Sequence, residues 1–269
     1  MRIRFGFKIA YQCTQPTPML LMLNVHPSRQ ADLVKRDELR SEPPLPITHY
    51  TDGFGNLCSR VLLPVGLTRF LTDGLIEDSG APDPVVRDAV QHPIPDLPHE
   101  VLVYLLGSRY CETDRLMETA WSLFGTTTPG WARVQAICDY VHDHVTFGYA
   151  HARPTKTASD VHVERAGVCR DFAHLAVTLC RCMNIPARYV TGYLGDIGVP
   201  PDPAPMDFSA WFEVYLGGRW YTFDARHNVP RIGRILMAVG RDASDVAISN
   251  SFGMTTLAGF EVWTDEVPA

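Results

Sequence analysis

The period of the apolar residues changes once along this chain, across a cluster of prolines, and that change constrains the fold more than any other feature. Before it the period is two. Ile3, Phe5, Phe7, Ile9 and Tyr11 alternate with polar or small residues, as a half-buried strand requires. Strand-like runs cover residues 2–13, 18–25, 47–50, 57–63 and 68–77, with Pro, Asp and Gly between them. The stretch Thr51-Asp52-Gly53-Phe54-Gly55-Asn56 reads as a hairpin loop between two of them. The expectation is a small all-β sandwich domain over residues 1–80. Pro82, Pro84, Pro93, Pro95 and Pro98 then stiffen an extended linker over residues 81–98, and residues 99–269 form a second domain.

In that second domain the period becomes helical. Residues 99–106 and 112–124 are plausible helices. Thr128 followed by Pro129 reads as a cap and first helical position for a run over 131–145, with Val134, Ile137, Val141 and Val145 on one face. A second strong pattern covers 168–183, with Phe172, Leu175, Ala176 and Leu179 at spacings of three and four; Asn184 caps its end and Pro186 prevents its continuation. Strands follow at 188–194, 210–216 and 219–225, the last two joined by Gly217-Gly218. The fold class is α+β, with helices packed on an antiparallel sheet behind an all-β domain.

Composition restricts the partners. The chain has 269 residues, 46% of them hydrophobic, enough for two cores. Against 30 acidic residues stand 24 Lys and Arg, so no broad positive field exists for nucleic acid or an anionic membrane surface. The longest apolar stretch near the N-terminus, Met19 to Leu23, is far short of the ~20 residues of a membrane-spanning helix. The strand alternation before it is unlike a leader segment, so a soluble, cytoplasmic protein is expected. The seven cysteines are odd in number and scattered, which argues against a disulfide framework. Cys180 and Cys182, like His142 and His144, are two apart on helices and point to different faces, so they read as core cysteines and surface histidines, not metal ligands. No loop has the closely spaced acidic residues of a calcium site, and no metal or cofactor is expected.

Cys169 falls in the first turn of the helical pattern, with the small Gly167 just before it. Unpaired N–H groups at a helix N-terminus favour a thiolate, with an apparent pKa below the ~8.5 of a free thiol, and can hold a developing oxyanion. A buried structural cysteine has the same local signature. The run Gly167-Val168-Cys169-Arg170-Asp171-Phe172-Ala173, followed by Asn184 to Val190, resembles the nucleophile motif of the transglutaminase-like superfamily and the strand after its helix. Ala210-Trp211-Phe212-Glu213-Val214-Tyr215-Leu216 and Phe223-Asp224-Ala225-Arg226-His227-Asn228 are similar to that family's histidine and aspartate strands. The resemblance covers roughly residues 99–250. It implies a papain-like core, Cys169 as nucleophile, Asp224 as the acid that orients a histidine, and thioester chemistry on peptide or Gln side-chain amides. The histidine itself would stand at position 209, which is Ser209.

With Gly217 and Gly218 as turn residues, Leu216 faces Arg219, Trp211 faces Asp224 and Ser209 faces Arg226, so positions 209, 211 and 224 share one side of the sheet. Ser209 therefore stands where the imidazole belongs, and it is no base near pH 7. His227, three residues after Asp224, would lie on the opposite face of a continuing strand, unless the chain leaves the strand by Asn228-Val229-Pro230. His174 is rotated about 140° from Cys169 around the helix and reads as a packing or solvent-facing residue. Asp207 has the right parity, but an ordinary carboxylate is a weak base toward a thiol. Asp171 supports the helix start by its charge. Trp211, Tyr193 and Trp220 are expected to wall a substrate groove, with strand packing as the alternative. Two functions follow: a cysteine hydrolase or amidase acting on a peptide or protein, or a catalytically inactive relative that binds a peptide or partner protein.

Overall fold

The computed structural model describes residues 1–268. Its first strands are β1 (Arg2–Cys13), β2 (Thr17–Leu21), β3 (Leu33–Lys35), β4 (Arg40–Glu42), β5 (Thr48–Thr51), β6 (Leu57–Leu63) and β7 (Gly66–Glu77). Then come α1 (Thr113–Phe124), α2 (Trp131–His144), β8 (Thr146–Phe147), α3 (Ala158–Glu164), β9 (Ala166–Gly167) and α4 (Cys169–Cys182). The remaining strands are β10 (Ala187–Tyr193), β11 (Ser209–Leu216), β12 (Arg219–Phe223), β13 (Ile235–Gly240), β14 (Ser249–Ser251) and β15 (Thr255–Val267).

Ile3, Phe5, Phe7 and Ile9 are all buried, and they share one core with Met19 and Leu21 of β2 and Val61 and Leu63 of β6. Two antiparallel sheets enclose it, one ordered β15-β1-β7-β3 with β4 also on β7, the other β14-β2-β6-β5. The last strand corrects the expected boundary at residue 99. β15 runs along the whole of β1, from Arg2 opposite Val267 to Cys13 opposite Thr255, and β14 pairs with β2. β14 and β15 therefore complete the N-terminal sheets and lie outside the second domain. A buried strand has two edges of backbone donors and acceptors to satisfy; β7 takes one edge of β1 and only a distant segment remains for the other.

Residues 81–98 are also not a free linker. Asp83 N–H donates to Arg231 O at 2.9 Å, and Arg231 N–H returns a bond to the Asp83 carboxylate at 2.9 Å. Trp131 N–H donates to Ala89 O at 3.0 Å, Gly217 N–H to Val90 O at 2.9 Å, and Gln91 Nε2 to Met183 O at 2.9 Å. A proline-rich stretch has few donors of its own, so its carbonyls take those left over at turn and helix ends, and the segment is strapped down.

The helices follow their patterns with three exceptions. The first expected one is a 3-10 helix, His99–Leu105. α2 begins behind Gly130, at φ 91°, and not on Thr128 and Pro129. α3 lies inside the polar loop and is held by a capping box between Thr157 and Asp160; only two of its seven residues are branched aliphatics, too few to show a period. At the end of α4, Asn184 at φ 61° donates to Arg181 O at 2.9 Å and Ile185 to Cys180 O at 3.0 Å, a Schellman ending.

The sheet β12-β11-β10-β13 separates the helices from the N-terminal strands. Phe212, Val214 and Leu216 pack with Phe172, Leu175, Ala176 and Leu179 of α4, while Tyr193, Ile235 and Met237 extend the N-terminal core. A register shift between Thr191 and Gly192 turns β10 partway, so Tyr189 faces Ala173 of α4 and Tyr193 faces away. The loop at Asn56 docks on the edge of this sheet. The buried Asn56 amide donates to Val239 O and accepts from Val239 N–H, both at 2.8 Å, in place of a further strand. No helix among the described residues is long and apolar enough to cross a membrane.

Candidate active site

Cys169 is the first residue of α4 and the only one of the seven free cysteines that is not fully buried. The helix starts where it does because Asp171 reaches back to accept from Val168 N–H at 3.0 Å. The Asp171 side chain lies where a Cβ at position 167 would be, 2.6 Å away, which explains the glycine before the cysteine. Asp171 is thus a structural carboxylate, bonded to Val168 N–H and to the Arg170 guanidinium.

The sulfur faces a cavity of about 520 Å³. Its walls include Tyr110, Tyr149, Tyr189 and Phe208, with Asp207, Ser209 and Ala210 from the approach to β11. Ser209 lines the same space as Cys169. The expected aromatic walls do not: Tyr193 is buried between Phe5 and Phe208 at 5.1 Å from each, and Trp211 packs on Val190 and Val239. Trp220 lies under the Arg188 guanidinium at 4.3 Å and meets Tyr104 edge to face at 5.3 Å, away from the cavity. Their strand parity turns them into cores or to the sheet's far end, whereas the actual walls come from loops whose approach no local pattern reveals.

Burial pushes the Cys169 thiol up to about 11, and the nearby Asp207 carboxylate adds to it; the Arg226 guanidinium and the Ala210 and Arg170 amides oppose this. The expected depression by the helix start is therefore outweighed, and the resting sulfur is a neutral thiol. Removing a small anion from water costs more than one helix end returns.

The hairpin register is as read, with Leu216 opposite Arg219 and Phe212 opposite Phe223. It ends there. Ser209 pairs with Gly192 of β10 and forms no pair with Arg226. After Phe223 the chain turns: Asp224 Oδ1 accepts from Arg226 and His227 N–H at 3.0 and 3.1 Å, and Asn228 N–H donates to Asp224 O at 2.8 Å. This turn swings His227 back, so that its Nδ1 lies 2.8 Å from Asp224 Oδ2. His227 borders a small polar pocket of about 100 Å³ together with Arg226, Asp207, Tyr149 and Ser209. The last three also line the Cys169 cavity, so Ser209 stands between the thiol's space and the imidazole's.

Burial alone would raise the Asp224 carboxyl, but the charge of Arg234 and the hydrogen bonds of His227 hold it well below the usual carboxylate range. Arg234 Nη2 donates to Asp224 Oδ2 at 3.0 Å, and the same guanidinium lies 4.9 Å above the Trp211 ring, which puts Trp211 and Asp224 on one side of the sheet. Burial also raises Asp207, so it is a stronger base than an ordinary carboxylate. His174 packs inside, stacked 5.0 Å from Tyr110 and 4.9 Å from Tyr189, with Nε2 accepting from Ala243 N–H at 3.1 Å. Cys180 and Cys182 are core residues, His142 is exposed and His144 half-buried. Among the described residues no three His, Cys, Asp or Glu side chains converge as metal ligands.

The sequence profile described as the transglutaminase-like superfamily matches residues 119–225, which include Cys169, Ser209 and Asp224. Over the whole chain the fold superposes on a crystal structure from Cytophaga hutchinsonii described as a candidate cysteine protease, with 30% identity and a TM-score of 0.87, covering 100% of this chain and 91% of that one. An uncharacterized Mycobacterium leprae protein, ML0607, is 40% identical over 84 residues; the match takes in 30% of this chain and only 30% of that protein's length.

Proposed function

This chain belongs to the transglutaminase-like superfamily, and on that premise we propose that it is a cysteine hydrolase of peptide or Gln side-chain amides in which His227 serves as the displaced base. The observation that carries this reading is the Asp224–His227 pair, 2.8 Å apart, bordering the pocket that Ser209 shares with the Cys169 cavity. A carboxylate only accepts hydrogen bonds, so His227 Nδ1 carries the proton and Nε2 is free as acceptor. In the proposed step the Cys169 proton passes through the Ser209 hydroxyl to His227 Nε2 while sulfur bonds to the amide carbon. The helix-start amides receive the oxyanion. The imidazolium proton returns by the same route to the departing nitrogen, which leaves as ammonia or an amine, and water then hydrolyses the thioester to regenerate the thiol. Ser209 supplies no basicity of its own. The seven free thiols suit a reducing compartment, which supports a cytoplasmic location.

Incubation with Gln-containing peptides, followed by ammonia and amine release, tests the reaction. Turnover should vanish in Cys169→Ala and fall by about two orders of magnitude in His227→Gln. Turnover that survives Cys169→Ala refutes the reading. One observation favours an alternative: a thiol raised to about 11 with serine beside it suits a protein that binds peptides without cleaving them. In that case peptide binding by equilibrium dialysis persists with no product.

A further inference from the structure

Asp83 lies in the proline-rich segment, far in sequence from the site, yet a chain of alternating charges joins it to His227. The Asp83 carboxylate accepts from Arg234 Nε at 2.9 Å, Arg234 Nη2 donates to Asp224 Oδ2 at 3.0 Å, and the same Oδ2 takes the His227 Nδ1 proton at 2.8 Å. Three of the four groups are nearly closed to water: side-chain exposure is 8% for Arg234, 4% for Asp224 and 16% for Asp83, against 24% for His227.

We infer that Arg234 is the positioning residue of the Asp224–His227 pair, and that Asp83 locks it in place, so that the strapped segment 81–98 sets the geometry of the site. The deduction rests on the proposed role of His227, but its physical content is independent of it. A carboxylate that serves two donors on one oxygen and two backbone amides on the other has one orientation left. That orientation determines which imidazole nitrogen keeps the proton. Without Arg234 the carboxylate can rotate to give both oxygens to the backbone or to solvent, and the imidazole can swap its protonated nitrogen. Arg234 is held by the Asp83 carboxylate on Nε, and Asp83 is in turn fixed by its two bonds with the backbone of Arg231, three residues before Arg234. Remote charge partners of this kind act through the group they orient.

Nitrogen-15 NMR of the full chain with labelled histidine reads this directly, with the His227 signals identified by their loss in His227→Gln. The wild-type protein should show a single Nδ1–H tautomer at neutral pH. In Asp83→Asn and in Arg234→Met the signals should move to an average of both tautomers, and kcat for amide hydrolysis should fall by about tenfold or more at unchanged KM. Arg234→Lys should restore part of the tautomer bias. Where Arg234→Met fails to fold, Asp83→Asn decides. A single Nδ1–H tautomer retained in folded Asp83→Asn and Arg234→Met overturns the inference. If the tautomer shifts in both variants while His227→Gln hydrolyses amides at the wild-type rate, the positioning role stands and the assignment of His227 as base falls.

Discussion

Replacing Ser209 with His should convert a neutral thiol into a reactive one. In the native protein burial lifts Cys169 to about 11, so at pH 6 only about 0.001% of it is thiolate. An imidazolium about 4 Å from the sulfur, at an effective dielectric of about 20, stabilises the thiolate by about 4 kcal/mol. That is about three pKa units as long as the imidazole, at ~6.5, keeps its proton, so it brings the thiol to about 8 and raises the thiolate fraction at pH 6 about 800-fold. A less basic thiolate is also a weaker nucleophile, by about twentyfold for a Brønsted coefficient of about 0.45, and the net gain is about thirty- to fortyfold. The cavity beside Ser209 has room for the ring. The assay is the iodoacetamide alkylation rate of Cys169 as a function of pH, followed by peptide mass spectrometry, with circular dichroism to verify the fold. The wild-type rate should climb tenfold per pH unit to beyond pH 10, and the variant should level off near pH 6.5, where the imidazole itself begins to lose its proton. A wild-type break near pH 8 would refute the neutral thiol. A variant rate that still climbs tenfold per unit between about pH 6.5 and 8 would refute the placement of position 209 beside the sulfur.

Burial keeps His174 neutral well below its ordinary value, so the folded state binds fewer protons than the unfolded state below an unfolded pKa of ~6.5. Its contribution is complete above that value and declines as pH falls; from pH 6.5 to 5 the loss is about 2 kcal/mol, and urea unfolding of His174→Phe at pH 7 and 5 should show a pH slope smaller by that amount. Asn56→Ala leaves Val239 N–H and C=O without partners at a buried edge and should cost about 2–4 kcal/mol in chemical denaturation, while a loss below about 0.5 would mean water replaces the amide. Trp220→Ala should leave KM for a peptide substrate unchanged, because Trp220 packs against Arg188 and Tyr104, whereas Tyr149→Ala should raise it severalfold. The opposite ranking would restore Trp220 as a groove wall.

Local chemistry was enough to determine the elements of this protein. Alternation marked β1, Asn184 and Pro186 marked the end of α4, and two glycines set the register of β11 on β12, because each depends on neighbours within a few residues. Ser209 lines the cysteine's cavity through its pairing with Gly192 of β10, beyond the end of that register. What the sequence alone left undecided depends on contacts between distant segments. β15 returns to β1 to satisfy a backbone edge, the proline-rich segment is bound through Asp83, and the walls of the cavity come from loops. His227 shows the limit most plainly. Strand parity puts it on the wrong face, and it reaches Asp224 only because that carboxylate caps a turn that ends the strand. The thiol's state is likewise a property of the whole fold: a helix start favours the anion locally, but how much water the surrounding layers remove from the sulfur decides the outcome.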